Sequence, residues 1–250
     1  TIEREFSRRG YEVILCNTGG DRAETLRYLQ AVNQKQVDGI VLVGSVFDTI
    51  CQGAEMEKLL TGVPVVLANG KLDLPNAYSV TVDDKYGVSL AVEHLVARGR
   101  KSIYYIKDRD TDSAKSKRDG FLEAMRRNGL EFADHVLEAG ETLASGMETV
   151  QALLAQGIVP DGIVCGEDLT AAGALKALLR AGLRVPGQVA VVGFNNSDYA
   201  HLCEPVLTSV DNKPEQVALL CVQLLESSIE RSEAYSSVVL QPELAQGETS

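Results

Sequence analysis

The chain has 250 residues, of which 45% are hydrophobic, and its formal net charge is −11 at pH 7. That apolar content can fill one large core or two smaller ones, but the longest apolar runs are strand-sized, well short of the ~20 residues of a membrane-spanning helix. The negative charge excludes nucleic-acid binding by this chain alone, because contacts with phosphates need a positive surface.

In chain order, short apolar runs alternate with longer amphipathic stretches. The runs predict strands at 12–16, 39–44, 64–68, 78–82, 102–106, 136–139, 162–166, 189–194, 207–210 and 237–240. Most of these runs are continuously apolar, which is typical of strands covered on both faces. So many strands approach the upper limit for one strongly twisted sheet, and we therefore expect two sheets.

The stretches between the strands carry recognisable helix ends. Asp21 and Glu24 have the spacing of a capping box at the start of a helix. A later helix should begin near Asp168 and stop at Gly182, and another should carry Pro214 in its first turn. Helices that alternate with strands in this way indicate an α/β fold with parallel sheets and helices on both faces.

Cysteine usage and the first residues indicate the compartment. The cysteines are odd in number, scattered and without a Cys-x-x-Cys pair: Cys16, Cys51, Cys165, Cys203 and Cys221. This pattern favours buried free thiols over disulfides or a metal site. The first residues show neither a basic segment nor an apolar one, so we see no signal peptide and expect a cytoplasmic protein with no membrane partner.

Sequence signatures of enzymes are absent. We find no Gly-x-Gly-x-x-Gly after a strand, no phosphate-binding loop, no Gly-x-Ser-x-Gly and no His-Glu-x-x-His. His94, His135 and His201 lie far apart and lack the spacing of metal ligands, so we interpret them as structural or surface histidines. We predict no catalytic activity, no metal site and no cofactor.

Two acidic pairs stand between a predicted strand and a predicted helix. In Asp83-Asp84, a helix N-cap followed by a first-turn acid is the simpler interpretation. In Glu167-Asp168, we expect Asp168 to be the N-cap. Glu167 lies at the carboxyl end of a strand, where open parallel sheets bind ligands. Both a ligand-binding role and a solvated loop carboxylate remain open for Glu167.

Three stretches resemble the LacI family of transcriptional regulators. Residues 82–99 read VDDKYGVSLAVEHLVARG, where the family shows an acid, a glycine and then HL(I/V)xxGH. Residues 160–175 read PDGIVCGEDLTAAGAL and resemble PDAIFxxNDxxAxGAL. The third stretch contains GLRVP, VVGFNN and LTSV between 182 and 210, similar to the family's GxVP, VVGFDD and LTTV. The resemblance extends over essentially the whole chain.

The resemblance implies a fold of two Rossmann-like lobes with parallel sheets, joined by a three-crossing hinge as in type I periplasmic binding proteins. Because the polar stretch 107–116 interrupts the alternation of elements, we place the first crossing there. The N-terminal lobe is then expected at 1–107 and 212–232, and the C-terminal lobe at 108–211 and 233–250. A DNA-binding headpiece and the first strand of the core are expected to precede Thr1.

The expected ligand-binding residues lie at or near strand ends, and four of them, Ser113, Lys117, Glu167 and Asn195, match positions of the family's site. The full set is Asn17, Asn69, Tyr86, Ser113, Lys117, Glu167 and Asn195. The acid and the amide of the family appear exchanged between Glu167 and Asn195. Lys117 stands three residues before a glycine, where the family has an arginine, which disfavours a planar carboxylate ligand. We expect Lys117 and Glu167 to neutralise each other and the effector to be neutral and rich in hydroxyls.

The predicted function is the ligand-sensing core of a LacI-family regulator. A small effector, carbohydrate-like, would bind in the cleft between the lobes and control operator binding by the full-length homodimer. Operator DNA would be a partner only through the headpiece. The alternatives are a solute-binding protein of a transporter, which the specific motifs disfavour, and an enzyme on a similar scaffold, for which no paired nucleophile and base is visible.

Overall fold

The chain forms two α/β units, each with its own sheet, in a computed structural model that describes residues 1–231 and 236–250. The first unit comprises Thr1–Val82 and Lys213–Leu240, and the second comprises Asp83–Asn212 and Gln241–Ser250. The chain passes from one unit to the other after Val82, after Asn212 and after Leu240.

Helices and strands alternate through most of the chain. The helices are α1 Ile2–Arg8, α2 Arg22–Gln34, α3 Phe47–Ile50, α4 Ala54–Leu60, α5 Asp84–Ala97, α6 Asp112–Arg127, α7 Leu143–Ala155, α8 Asp168–Arg180, α9 Asp198–His201 and α10 Pro214–Arg231. The strands are β1 Ile40–Val43, β2 Val65–Ala68, β3 Ala77–Val82, β4 Ile103–Lys107, β5 Val136–Glu138, β6 Gly162–Cys165, β7 Ala190–Phe194, β8 Thr208–Asp211, β9 Val238–Leu240 and β10 Glu243–Ala245.

The sheet of the first unit has the order β1-β2-β3-β9, and all its pairs are parallel. The sequence of β2 is continuously apolar because all four of its residues are buried, with helix α10 covering one face. From that helix, Val217, Cys221 and Leu225 pack against Val66 and Val80 of the sheet. The apolar stripe of α10 thus matches the covered face of a parallel sheet.

The sheet of the second unit has the order β10-β8-β7-β6-β4-β5. Its pairs are parallel, as expected, except that the unpredicted short strand β10 runs antiparallel to β8. Helices α5 and α6 pack on one face around Tyr105, Phe121 and Phe194, which are fully buried. Helices α7 and α8 cover the other face around Ile163 and Leu178. Both faces are covered, which explains the continuous apolar runs.

The expected lobe boundary at 107/108 is wrong by one strand and one helix. Strand β4 pairs with β6 from Ile103↔Gly162 to Ile106↔Cys165, so it belongs to the second sheet. The polar stretch 107–116 is therefore a connection inside the second unit. The last crossing follows β9, which pairs with β3 of the first unit. Residues 232–235, on which the expected 232/233 boundary fell, lie outside the described residues.

The strand predicted at 12–16 is not formed. Among the described residues, none pairs with this segment in a ladder, and β1 is the edge of the sheet. Leu15 is 88% exposed and Ile14 43% exposed. An apolar run becomes a strand only when a neighbouring strand accepts its hydrogen bonds, and periodicity cannot supply that neighbour.

Local predictions of helix ends were mostly confirmed. Asp21 accepts a hydrogen bond from the backbone N–H of Glu24, and Pro214 begins α10. Asp168 as an N-cap is wrong. Its carboxylate accepts hydrogen bonds from Ser197 Oγ at 2.8 Å and from Ser209 Oγ at 2.6 Å, and the N-cap position is held by the preceding Glu167. Long-range hydroxyl partners therefore outweighed the local cap.

Other expectations concern cysteines, histidines and membranes. Over residues 1–231 and 236–250, all the cysteines are free. His94 bonds Ser250 Oγ at 2.8 Å, and His135 bonds the carbonyl of Ile103 at 2.8 Å, as structural histidines do. In the same part of the chain, no helix is long and apolar enough to span a membrane.

We expect Gly173→Ala to destabilise the second unit by about 1–3 kcal/mol. A Cβ at Gly173 on α8 would lie 2.2 Å from the carbonyl oxygen of Leu143 on α7, so the helices would have to separate. This clash should outweigh the ~1 kcal/mol that alanine gains over glycine in helix propensity. Urea unfolding measures the change, and Gly62→Ala is the control because nothing lies within 4 Å of its added Cβ. Equal midpoints for both variants would contradict the close approach.

Candidate functional site

The candidate site lies at the carboxyl ends of three neighbouring strands of the second sheet. Strands β7, β6 and β4 are adjacent and parallel, so their carboxyl ends share one edge. Asp108 follows β4, Glu167 comes two residues after β6, and Asn195 follows β7. Such edges are the usual ligand-binding places of open parallel sheets. Helix α6, which follows β4, adds Lys117 to this group.

Lys117 is the centre of the cluster. The residue is 6% exposed, and its Nζ donates a hydrogen bond to the carbonyl of Gly166 at 2.9 Å. The same Nζ lies 4.0 Å from Glu167 Oε1 and 3.9 Å from the centre of the Phe194 ring. A buried ammonium needs such partners, because its desolvation is costly unless hydrogen bonds and opposite charges compensate it. The expected pairing of Lys117 with Glu167 is thus seen in the geometry.

Glu167 and Asn195 interact directly. The side-chain amide of Asn195 donates a hydrogen bond to Glu167 Oε2, and Asn212 donates to Asn195 Oδ1 at 2.7 Å. Asn195 has a φ of +103° and the next residue, Asn196, a φ of +51°. Left-handed backbone at non-glycine residues is strained, and such strain is typical of functional sites. Burial raises the pKa of Glu167, and the Lys117 ammonium opposes that rise.

Ser113 joins the cluster through Asp84. Its hydroxyl donates a hydrogen bond to Asp84 Oδ2 at 2.6 Å. Asp84 is the first residue of α5, after the N-cap Asp83, whose side chain accepts from the backbone N–H of Tyr86 at 2.9 Å as predicted. Burial raises the pKa of Asp84, while Lys117 and the Ser113 hydroxyl act in the opposite direction.

Asp108 and Tyr105 were missed at the sequence level. The Asp108 side chain is 4% exposed, and burial raises its pKa although Lys117 opposes this. The Tyr105 side chain, from the middle of β4, is fully buried. A Cβ added at Gly166 would lie 2.7 Å from Asp108 Oδ1 and 3.1 Å from the Tyr105 hydroxyl oxygen, so both groups converge there. The only sequence signal was the change from apolar to polar residues at Lys107.

The remaining expected residues are not brought into the Lys117 cluster by any described contact. Asn17 and Asn69 belong to the first unit. The Asn17 side chain accepts from the backbone N–H of Gly19 at 3.1 Å, and Asn69 follows β2 with a φ of +56°. Tyr86 lies on α5 in the second unit and is 44% exposed. These three stay predictions.

The arrangement suits hydrogen bonding to a small molecule. Carboxylates, amides and a hydroxyl alternate as acceptors and donors around Lys117, which is how binding sites orient polar ligands. Among residues 1–231 and 236–250, no three His, Cys, Asp or Glu side chains are grouped so as to hold a metal ion. The side chains around Lys117 offer recognition through hydrogen bonds and charge.

The sequence comparisons point to transcriptional regulators. Residues 92–250 match the family described as "Periplasmic binding protein-like domain". The chain is 32% identical over 227 residues to an HTH-type transcriptional regulator of Lachnoclostridium phytofermentans, covering 90% of this chain and 68% of that protein. It is 31% identical over 231 residues to the ribose operon repressor of Halalkalibacterium halodurans, covering 92% and 67%.

Solved structures agree in fold. A LacI transcriptional regulator from a Rhodococcus species superposes with a TM-score of 0.85 at 30% identity, over 99% of this chain and 90% of that one. The complex of the regulator CelR with cellobiose gives 0.85 at 26%, over 100% and 76%. The lac repressor dimer bound to operator gives 0.85 at 21%, over 99% and 86%, and shows a shared fold.

Proposed function

The chain belongs to the LacI family of transcriptional regulators, whose effector-binding core has the periplasmic binding protein-like fold, and from this premise we propose that it senses a small, hydroxyl-rich effector through the Lys117 cluster. LacI-family regulators bind effectors, dimerise and bind operator DNA, and they are not enzymes. A regulator acts where the DNA is, so we propose a cytoplasmic location and operator contact through a separate DNA-binding segment.

The contact between Glu167 and Asn195 carries this proposal. The two side chains present carboxylate oxygens, an amide N–H₂ and an amide oxygen at one sheet edge, with Lys117 Nζ 4.0 Å from the carboxylate. Sugar hydroxyls donate and accept together, so such a mixed set suits them. The CelR–cellobiose complex and the ribose operon repressor are named for sugars, which supports a sugar-like effector here. We keep Asn17, Asn69 and Tyr86 as further expected ligand-binding residues.

Effector binding would control the operator through a conformational equilibrium. An effector changes operator affinity only when it binds one conformation of the dimer more tightly than the other. The matched relatives are named as regulators rather than transport receptors, which favours this function over solute transport.

A thermal-shift panel of sugars, amino sugars, sugar phosphates, sugar acids and nucleobases tests the proposal. A ligand that binds only the folded state raises its stability in proportion to ln(1 + [L]/Kd). We expect sugars and amino sugars to raise the melting temperature and sugar phosphates not to, since carboxylates outnumber Lys117 in the cluster. Stabilisation by sugar phosphates alone, or by nothing in the panel, would contradict the proposed effector class.

We further propose that the chain forms a homodimer through a partly apolar surface on α7, α8 and the segment that follows α9 in the second unit. A groove of about 400 Å³ is lined by Leu175, Leu179 and Cys203, together with charged side chains. Leu202, which immediately precedes the groove residue Cys203 in the sequence, is 82% exposed. Such exposure of large apolar side chains marks association surfaces. The groove also carries Lys176, Arg180 and Glu204, charges of both signs that a two-fold contact can pair.

Leu202→Glu should convert the dimer to a monomer of 26.9 kDa at micromolar concentration. The new carboxylate would be buried without a partner on both sides of a two-fold interface. Sedimentation velocity measures the mass, and Val159→Glu is the control, because Val159 is also exposed, at 55%, but does not line the groove. Dimers in both variants would exclude this surface, and a monomeric unmodified chain would exclude the dimer.

A further inference from the structure

The charges around Lys117 do not balance. Asp84, Asp108 and Glu167 all act on this one ammonium, and burial raises the pKa of each carboxyl group. Arg109 lies 3.9 Å from Asp108 Oδ2, but its side chain is 45% exposed and also pairs with Glu141 at 3.3 Å. Even when Arg109 is counted, the carboxylates of the cluster outnumber its cations.

Two buried polar groups beside the cluster have unused hydrogen-bonding capacity. Asp108 Oδ2 and the Tyr105 hydroxyl accept or donate no hydrogen bond within the part of the chain that the structure describes. Tyr105 is 0% exposed and Asp108 7% exposed. Buried polar groups are nearly always satisfied, by protein groups, ordered water or a ligand. Asp108 lies at the carboxyl end of β4, where ligands of parallel sheets bind, and the Tyr105 hydroxyl approaches the same glycine, Gly166, as the Asp108 carboxylate.

Two groups that a ligand could present to Asp108 and Tyr105, a hydroxyl and a positively charged nitrogen, differ in their effect on the charge balance of the cluster. A hydroxyl would satisfy the hydrogen bond to Asp108 but would leave the excess of negative charge in a poorly solvated site. A protonated amine would form a charge-assisted hydrogen bond to the carboxylate, roughly twice as strong as a neutral one. The amine would also balance part of the excess negative charge, and the Tyr105 oxygen could accept a hydrogen bond from the same nitrogen.

We propose that the effector carries a protonated amino group that binds the carboxylate of Asp108 beside the Tyr105 hydroxyl. This inference rests on the proposed effector site at Lys117 and narrows its ligand class from hydroxyl-rich molecules to amine-bearing ones, with amino sugars as the simplest probes. It replaces the expectation of a neutral effector, which considered only the balance between Lys117 and Glu167. Asp108 is then a specificity-determining residue.

Isothermal titration with two matched sets of sugars tests the charge preference. The sets are glucosamine, N-acetylglucosamine, glucose and glucuronate, and the corresponding galactose series. Within at least one set, the free amine should bind about tenfold more tightly than the neutral sugar and the acetylated amine, and more tightly still than the acid. A neutral or acidic member that binds as tightly as the amine would overturn the proposal, as would the absence of amine binding in the millimolar range.

Asp108→Asn tests the residue assignment. The amide keeps the shape of the side chain and removes its charge, so the ratio of amine to neutral affinity should fall to near one. Asp110→Asn is the matched control: its side chain is 79% exposed and pairs with Lys107, and the ratio should stay unchanged. A preserved preference in a folded Asp108→Asn variant would overturn the assignment. If that variant does not fold, the order of affinities that the unmodified protein shows for the matched sugars still decides the proposal.

The outcomes separate this inference from the proposed function. Neutral sugars that bind in a Glu167-dependent manner, without preference for amines, would support the effector site and refute the amine. Loss of binding of every sugar, together with no stabilisation in the thermal-shift panel, would refute both.

Discussion

Glu167→Ala and Asn195→Ala should each weaken effector binding by about 1–3 kcal/mol, which is roughly 5- to 150-fold in Kd. Each substitution removes one partner of a side-chain hydrogen bond and leaves the other without it. For Glu167→Ala, Lys117 also loses the carboxylate 4.0 Å from its Nζ. Isothermal titration with the best ligand of the thermal-shift panel measures the change.

Because Glu167 and Asn195 contact each other, their effects should not add. The double variant should bind more tightly than the sum of the single losses predicts, with a coupling of about 0.5–3 kcal/mol. Glu148→Ala on the surface of α7 is the control for a loss of one carboxylate and should leave Kd unchanged. Unchanged affinity in both single variants would refute the site assignment while leaving the fold and the family intact.

Lys117→Met should be the most destabilising single substitution at the site, lowering the free energy of unfolding by about 3–5 kcal/mol at pH 7. Methionine fills a similar volume but removes the positive charge that faces Asp84, Asp108 and Glu167. It also leaves the carbonyl of Gly166 without its donor at 2.9 Å. Urea unfolding measures the loss. Lys115→Met, two residues earlier, is the control because that lysine is 49% exposed and pairs with Asp112 at 3.2 Å.

The loss of unfolding free energy caused by Lys117→Met should become smaller as pH falls from about 7 to about 5. Burial raises the folded-state pKa of Asp84, Asp108 and Glu167, and removal of Lys117 raises it further. With a raised folded pKa, the folded state binds more protons than the unfolded state, so acidification favours folding for these groups. Two results would show that Lys117 does not balance the charge of these carboxylates. One is a urea midpoint for Lys117→Met equal to that for Lys115→Met at pH 7, and the other is a loss of stability in Lys117→Met that grows on acidification.

Much of the secondary structure could be predicted from the sequence because it follows local patterns. The runs at 64–68, 162–166 and 189–194 became β2, β6 and β7, since strands covered on both faces must be apolar throughout. The run at 12–16 is also mainly apolar, but no strand among the described residues pairs with it. Pairing depends on residues distant in sequence, so two similar runs had different outcomes.

Prediction of the candidate site was less complete for the same reason. Glu167 and Asn195 could be proposed because they stand at strand ends and match the motifs of the family, and Lys117 because it matches the family's arginine. The structure adds that their side chains meet in one cluster. Neither Asp108 nor Tyr105 could be proposed as a site residue from the sequence. A carboxylate that follows a strand, as Asp108 does, is ordinarily solvated. Only the packing of α6 and β6 around the two residues shows that they are buried.

The sequence by itself determined the alternation of strands and helices over most of the chain, the α/β class and the family, because these depend on periodicity, helix-end residues and motif spacing. The tertiary structure decided where the chain changes unit, since strand pairing placed β4 with β6. It also decided which carboxylates face Lys117, and therefore the excess of negative charge in the site. Charge balance depends on distance and burial in three dimensions, and neither quantity can be read from positions along a chain.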